Sequence, residues 1–318
     1  MEALKMKKEP QDGGSEVKDH QSVKEILQRY IDNSDKSQTQ VAKEIGISGS
    51  ALSQFLNGTY KGSISNICNA VKKYLNLEKQ KLDTPKKPEF VATEIAQEIQ
   101  TVLSFCRLND DIGVIVGDPG IGKTMTLKKY ADENPNVVLI SANPALRSPN
   151  SLLDELLYSL GKKETGKLAA KQRSLIKYLS DSGMMIIIDE AQHLTYSSLE
   201  TIRAIYDATR ISLVLAGNPL VLDEMRDKRA EFAQFFSRIG IQRRISGKKK
   251  RKDIEKIAKQ CITNPSKEII DFLAGKANVH GGFRYMTKHL VLAMTLAYNK
   301  KTTVALEHFK QAERILKG

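Results

Sequence analysis

The chain has 318 residues and carries 50 lysines and arginines against 37 aspartates and glutamates, a formal charge of +13 that suits a polyanionic partner. That length leaves room for two domains with cores of their own. No apolar run approaches the ~20 residues of a membrane span and residues 1–20 hold no apolar signal core, so a membrane protein is excluded and a cytoplasmic one expected. The three cysteines and five histidines are scattered without paired ligand spacing, which argues against disulfides and zinc and predicts buried thiols.

Residues 1–20, with Lys7-Lys8-Glu9-Pro10 and Asp12-Gly13-Gly14-Ser15, are polar and non-periodic, which predicts a mobile tail. The pattern then turns helical, with Val23, Ile26, Leu27, Tyr30 and Ile31 at spacings of three and four. Val41, Ala42 and Ile45 form a short apolar face, Gly46 stops that helix, Ser48 can cap the next, and Leu52, Phe55 and Leu56 form its inner side. Residues 21–77 therefore read as a small all-α helix-turn-helix domain, closed by a helix from Ile64 to Leu75. With Ala42, Gly46 and Ile47 at its turn, the segment resembles the repressor-type helix-turn-helix family, which implies that Ser50, Ser53 and Gln54 face a DNA major groove. None is the arginine or asparagine that reads a base with two bonds, so weak sequence discrimination and backbone contacts are expected. A three-helix module used only for protein contact fits the same pattern.

Residues 78–90 carry lysines with Pro85 and Pro88 and read as a linker. A helical stretch, Val91 to Cys106, leads to the apolar run Ile112 to Val116. Gly-Asp-Pro-Gly-Ile-Gly-Lys-Thr follows, from Gly117 to Thr124, and opens a helix at Met125. This is a phosphate-binding P-loop: Gly117, Asp118, Pro119, Gly120, Ile121, Gly122 and Met125 wrap the phosphates of ATP, Lys123 reaches the β- and γ-phosphates, and Thr124 holds Mg²⁺. Met184-Met185-Ile186-Ile187-Ile188-Asp189-Glu190 has the pattern of a parallel strand buried on both faces and ending in two acids. Asp189 would serve Mg²⁺ and Glu190 would orient the attacking water. Taken alone such a pair could be only a solvated turn or an N-cap, but paired with the P-loop upstream the nucleotide reading wins.

Further strands are expected at Val137 to Ser141, Ile211 to Ala216 and Ile239 to Ile245, with helices over residues 151–160, 169–179, Tyr196 to Thr209 and Glu231 to Arg238. Strands separated by helices predict an α/β fold with a parallel sheet covered on both faces. Asn218 follows the second of these runs and is either a γ-phosphate sensor or a turn former before Pro219. Phe232, Phe235 and Phe236 form the inner side of their helix. Lys248 to Lys252 is a basic run, either a solvated face or a phosphate contact. Asp253 to Gly318 has four helical patterns and reads as a lid on the nucleotide. The domain limits are then 91–246 for the nucleotide-binding core and 247–318 for the lid.

In this order the motifs resemble those of AAA+ ATPases over Val91 to Gly318. Taken with the helix-turn-helix, the whole is similar to the family of the phage Mu B transposition protein. Ile187-Ile188-Asp189-Glu190-Ala191-Gln192-His193-Leu194, Thr209 to Asn218, and Glu231 to Ile239 carry the likeness together with the P-loop. The resemblance implies an α/β P-loop AAA+ ATPase with a parallel sheet and a C-terminal helical lid, preceded by the helix-turn-helix domain. It implies ATP-dependent, largely non-specific binding of double-stranded DNA, self-association into a helical filament or ring, and delivery of target DNA to a DDE-type transposase that it stimulates. The setting implied is a bacterial host cytoplasm, with no membrane partner. Carried over residue by residue, Asn218 is the first sensor and Arg238 the arginine finger for a neighbouring subunit's ATP. Arg284, after Gly281-Gly282-Phe283, is the second sensor, and Arg147, Lys167, Lys171 and Arg173 grip DNA. Two other roles stay open, a helicase-loader ATPase and a nucleotide-sensing helix-turn-helix transcription regulator. A secretion-type ATPase would need an envelope segment that is not visible.

Overall fold

The computed structural model describes residues 15–83, 85–220, 229–245 and 249–317. It divides into two compact units, Met1–Pro85 and Lys86–Gly318. In the first, helices α1 (Ser15–Asp32), α2 (Gln38–Ile45), α3 (Gly49–Leu56) and α4 (Ile64–Asp83) enclose Val23, Leu27, Val41, Ala42, Leu52, Phe55, Ile67 and Val71. Local chemistry sets the limits of the two short helices. Ser37 and Gln40 form a reciprocal capping box at the start of α2, Gly46 takes the left-handed conformation (φ +85°) at its end, and Ser48 Oγ accepts from Ala51 N at 3.1 Å to start α3.

A polar knot ties the unit together. Glu44 Oε2 accepts from Lys36 Nζ (2.6 Å) and from the Tyr74 hydroxyl (3.0 Å), while Tyr30 donates to Glu78 Oε2 at 2.8 Å. The Lys36 ammonium is the main cause holding the Glu44 carboxyl below its ordinary value.

Two sequence limits shift. Helix α4 runs on to Asp83, into the stretch read as linker, because nothing between Ile64 and Asp83 is a glycine or proline. Helix α1 begins at Ser15, inside the stretch read as a tail; residues 1–14 of that tail lie outside the described residues.

The second unit begins with α5 (Glu94–Asn109), whose first turn is capped by Thr93 Oγ1, accepting from Ala96 N at 3.1 Å. The sheet consists of β1 (Ile112–Gly117), β2 (Val137–Ser141), β3 (Met185–Asp189), β4 (Ser212–Gly217) and β5 (Ile239–Ile245), in the order β2-β3-β4-β1-β5 with every pair parallel. The apolar runs alternate their side chains between two cores. Val114, Ile186, Ile188, Leu213 and Leu215 pack under α7 (Pro149–Ser159), α8 (Leu168–Leu179), α9 (Tyr196–Thr209) and α10 (Arg229–Phe236). Ile115, Met185, Ile187, Val214 and Ala216 pack on the opposite face under α5 and α6 (Lys123–Glu133). Phe235 is fully buried and Phe236 half-buried; the Phe232 side chain lies outside the described residues.

The last four helices, α11 (Arg251–Lys259), α12 (Lys267–Ala277), α13 (Gly282–Asn299) and α14 (Leu306–Lys317), have a separate core around Leu273, Met286, Leu290 and Phe309. Val91 and Ile95, at the entry to α5, pack against it. Among the described residues no helix is long and apolar enough to cross a membrane. Cys68 and Cys106 are buried thiols, while Cys261 is only half-buried.

Candidate nucleotide site at the strand ends

The sheet order puts β4 between β1 and β3, so the loops leaving β1 and β3 start two strand spacings, about 10 Å, apart. The turn after β1 closes that distance. Gly120 and Gly122 adopt φ of +81° and +103°, values that a side chain resists, and they fold the loop back over the strand end before α6 starts at Lys123. Ile121 pins the loop into the core below at 3% exposure, while Asp118, Pro119 and Met125 are exposed.

Lys123 is buried and donates to the carbonyls of Gly117 (2.6 Å) and Asp118 (3.1 Å). Thr124 Oγ1 donates to Asp189 Oδ2 at 2.6 Å, which joins the two motifs that lie far apart in the chain. Burial is the main cause acting on both charged members: it lowers the Lys123 ammonium and raises the Asp189 carboxyl from their ordinary values. The two charges partly offset this for each other.

Glu190 stands at the end of β3 with φ +56°, and its N–H donates to Asp189 Oδ1 at 2.9 Å. Asn218 follows β4; its Oδ1 accepts from Leu220 N at 2.9 Å, the turn-forming role that its place before Pro219 allows. Gln192, unassigned by the motif itself, lies between them: its amide bonds the Glu190 carboxylate and the Asn218 N–H. Its position two residues after the acid pair was the available signal.

The lid reaches the same place. A Cβ on Gly120 would overlap the Gly281 carbonyl, and one on Gly282 would lie 2.9 Å from the Gly120 carbonyl. Asp118, Pro119, Lys249, Asn278, His280 and Gly281 border a cleft of about 460 Å³ beside the loop. Arg284, exposed in the first turn of α13, has its Cβ 3.3 Å from where a Cβ on Gly120 would stand.

Arg238 lies away from this loop, exposed between α10 and β5, with its Nε donating to Asp207 Oδ1 at 2.8 Å. Asp207 also pairs with Arg203 at 2.6 Å, so one carboxylate on α9 holds two guanidinium groups. Ser50 and Gln54 are exposed and Ser53 half-buried on α3. The side chains of Arg147, Lys167 and Arg173 are exposed. Lys171 differs: it is 6% exposed, and its Nζ bonds Asn150 Oδ1 at 3.0 Å and Asp154 Oδ1 at 2.7 Å. It staples α8 to α7, and its charge is already matched inside the fold.

The fold and this site define a P-loop ATPase of the AAA class. The model of the AAA domain matches residues 106–225, and that of the Mu B transposition protein, C terminal, matches residues 237–316. The ATP-dependent target DNA activator B of Escherichia phage Mu is 32% identical over 293 residues, covering 91% of this chain and 93% of the relative. The DNA transposition protein B of the Mu-like prophage FluMu of Haemophilus influenzae is 28% identical, covering 82% and 93%. Among solved structures, the Aeropyrum pernix ORC2 protein superposes with a TM-score of 0.54 at 18% identity, covering 71% of this chain and 68% of that one. The chain belongs to the family of the Mu B transposition protein.

Proposed function

We propose that the chain is an ATP-dependent switch for largely sequence-nonspecific binding of double-stranded DNA, which assembles on target DNA and delivers it to a DDE-type transposase. The observation that carries this reading is the convergence of Lys123, Thr124, Asp189 and Glu190 on one site, in a chain alike over nearly its whole length to an ATP-dependent target DNA activator. The backbone N–H groups of the loop from Gly117 to Met125 and the start of α6 bind phosphate oxygens. Lys123 exchanges its two carbonyl partners for the β- and γ-phosphates, a stronger, charge-assisted pairing.

Thr124 and Asp189 fit a magnesium ion, because the Thr124 hydroxyl and the Asp189 carboxylate are hard oxygen donors standing together. A magnesium ion held by Thr124 and Asp189 would supply positive charge to neutralise the phosphates. Glu190 orients a water for in-line attack on the γ-phosphate, and Asn218 responds to that phosphate from the neighbouring strand end. Arg284 faces the loop from the lid as second sensor, and Arg238 serves the ATP of an adjoining subunit. Arg147, Lys167 and Arg173, with Ser50, Ser53 and Gln54, remain the DNA-facing candidates; Lys171 is set aside because its charge is spent on α7.

Fluorescence anisotropy of a random-sequence duplex tests the switch. Affinity is expected to rise at least about tenfold with a non-hydrolysable ATP analogue over ADP, a coupling of about 1.4 kcal/mol. Equal affinity in both nucleotides contradicts it.

A further inference from the structure

Beyond β3 the chain makes the short 3₁₀ turn Ala191–His193, and the side chain of Gln192 spans from there to the end of β4. Its Nε2 donates to Glu190 Oε2 at 2.5 Å and its Oε1 accepts from Asn218 N at 3.2 Å. These partners fix the orientation of the amide. A flipped amide would set oxygen against carboxylate and N–H against N–H, losing both bonds.

Glu190 has a left-handed backbone (φ +56°), a conformation that residues with a side chain resist. Its N–H is tied to Asp189 Oδ1. The last torsion of a glutamate is broad and roughly two-fold, so an untethered carboxylate would sweep a wide arc. Gln192 holds one oxygen, Oε2, and among the described residues no side chain bonds the other, Oε1. One oxygen is thus anchored to the neighbouring strand while the second is presented in a fixed direction.

We propose that Gln192 is a positioning residue for ATP hydrolysis, aligning the Glu190 carboxylate on its water by anchoring it to the backbone at the end of β4. This rests on the role of Glu190 given above. Because Asn218 provides the anchor, movement at the end of β4 is transmitted to the base through a single amide.

Gln192→Leu removes the amide at similar length; Gln192→Glu keeps an acceptor for Asn218 N–H but replaces the donor to Glu190 with an oxygen. Both are expected to lower the single-turnover hydrolysis rate by about tenfold or more, as misplacement of a reacting group does. Affinity for a fluorescent ATP analogue should stay within about twofold, since the side chain of Gln192 bonds Glu190 and the main-chain N–H of Asn218 and neither Lys123 nor Thr124. A merely structural residue would add its loss in any background. A positioning residue acts through Glu190, so Gln192→Leu should cause no further loss in a Glu190→Gln chain. Unchanged or faster hydrolysis in both single variants, or a full further loss in the double variant, overturns the proposal. Normal hydrolysis by Glu190→Gln alone would remove the role of Glu190, and this inference with it.

Discussion

Lys123 illustrates how a single side chain is prepared for its ligand. Its ammonium is buried against two carbonyls of its own loop, and burial lowers it from its ordinary value, so an anionic partner improves its surroundings. Lys123→Ala should weaken ATP binding by about 10- to 100-fold, the worth of a charge-assisted hydrogen bond; titration calorimetry giving an unchanged Kd would take the loop out of the site. Glu190→Gln keeps the shape of the side chain but weakens its pull on water, so nucleotide binding should persist while phosphate release falls about 10²-fold or more. The residues with this chemistry were legible from motif and spacing because the P-loop and the strand-end acids are local patterns. The burial of Lys171 was not, since it depends on Asn150 and Asp154 of another helix meeting it across space. Lys171→Ala should therefore lower the melting temperature and leave DNA affinity unchanged, whereas Lys167→Ala and Arg173→Ala should weaken DNA binding in a salt-dependent way.

At the scale of elements, the contact between the P-loop and the first turn of α13 leaves no space for a side chain. Gly120→Ala would place a methyl group into the Gly281 carbonyl at a left-handed position, and should lower both thermal stability and ATP affinity. An unaffected nucleotide Kd would show that this contact is incidental to binding. Within the lid, Glu313 of α14 lies between Lys276 of α12 (2.7 Å) and Lys317 (2.6 Å), and these ammonium groups hold its carboxyl down to about 2 from the ordinary 4.5. A depressed acid stabilises the fold above the unfolded value and loses that contribution as pH falls through the folded one. The melting-temperature difference between the native chain and Glu313→Gln should thus be largest above pH 4.5 and shrink towards pH 2. A difference independent of pH would mean that the clasp acts by packing alone. The helix start at Ser48 was readable as a cap, whereas the length of α4 was not, because its lysine-rich end looks like a linker until the absence of any breaker before Pro85 is weighed.

For the whole molecule, the alternation of apolar strands with helices announced a parallel α/β sheet covered on both faces. The order β2-β3-β4-β1-β5 was not legible, since it is set by pairing between strands remote in sequence. That order seats Asn218 and Gln192 between the two motifs. Arg238, by contrast, is exposed and paired with Asp207 of α9. If it acts on an adjoining subunit, mixing Arg238→Ala with Lys123→Ala chains should restore part of the ATPase activity that each lacks alone, because some interfaces regain both groups. No recovery at any ratio would count against shared sites. The central claim, that nucleotide state governs assembly on DNA, is tested most directly by electron microscopy of the full chain with random-sequence duplex DNA, comparing a non-hydrolysable ATP analogue with ADP. Continuous protein coverage of the duplex with the analogue and bare DNA with ADP is the predicted result; the same images in both nucleotides, or isolated particles confined to particular sequences, would contradict it.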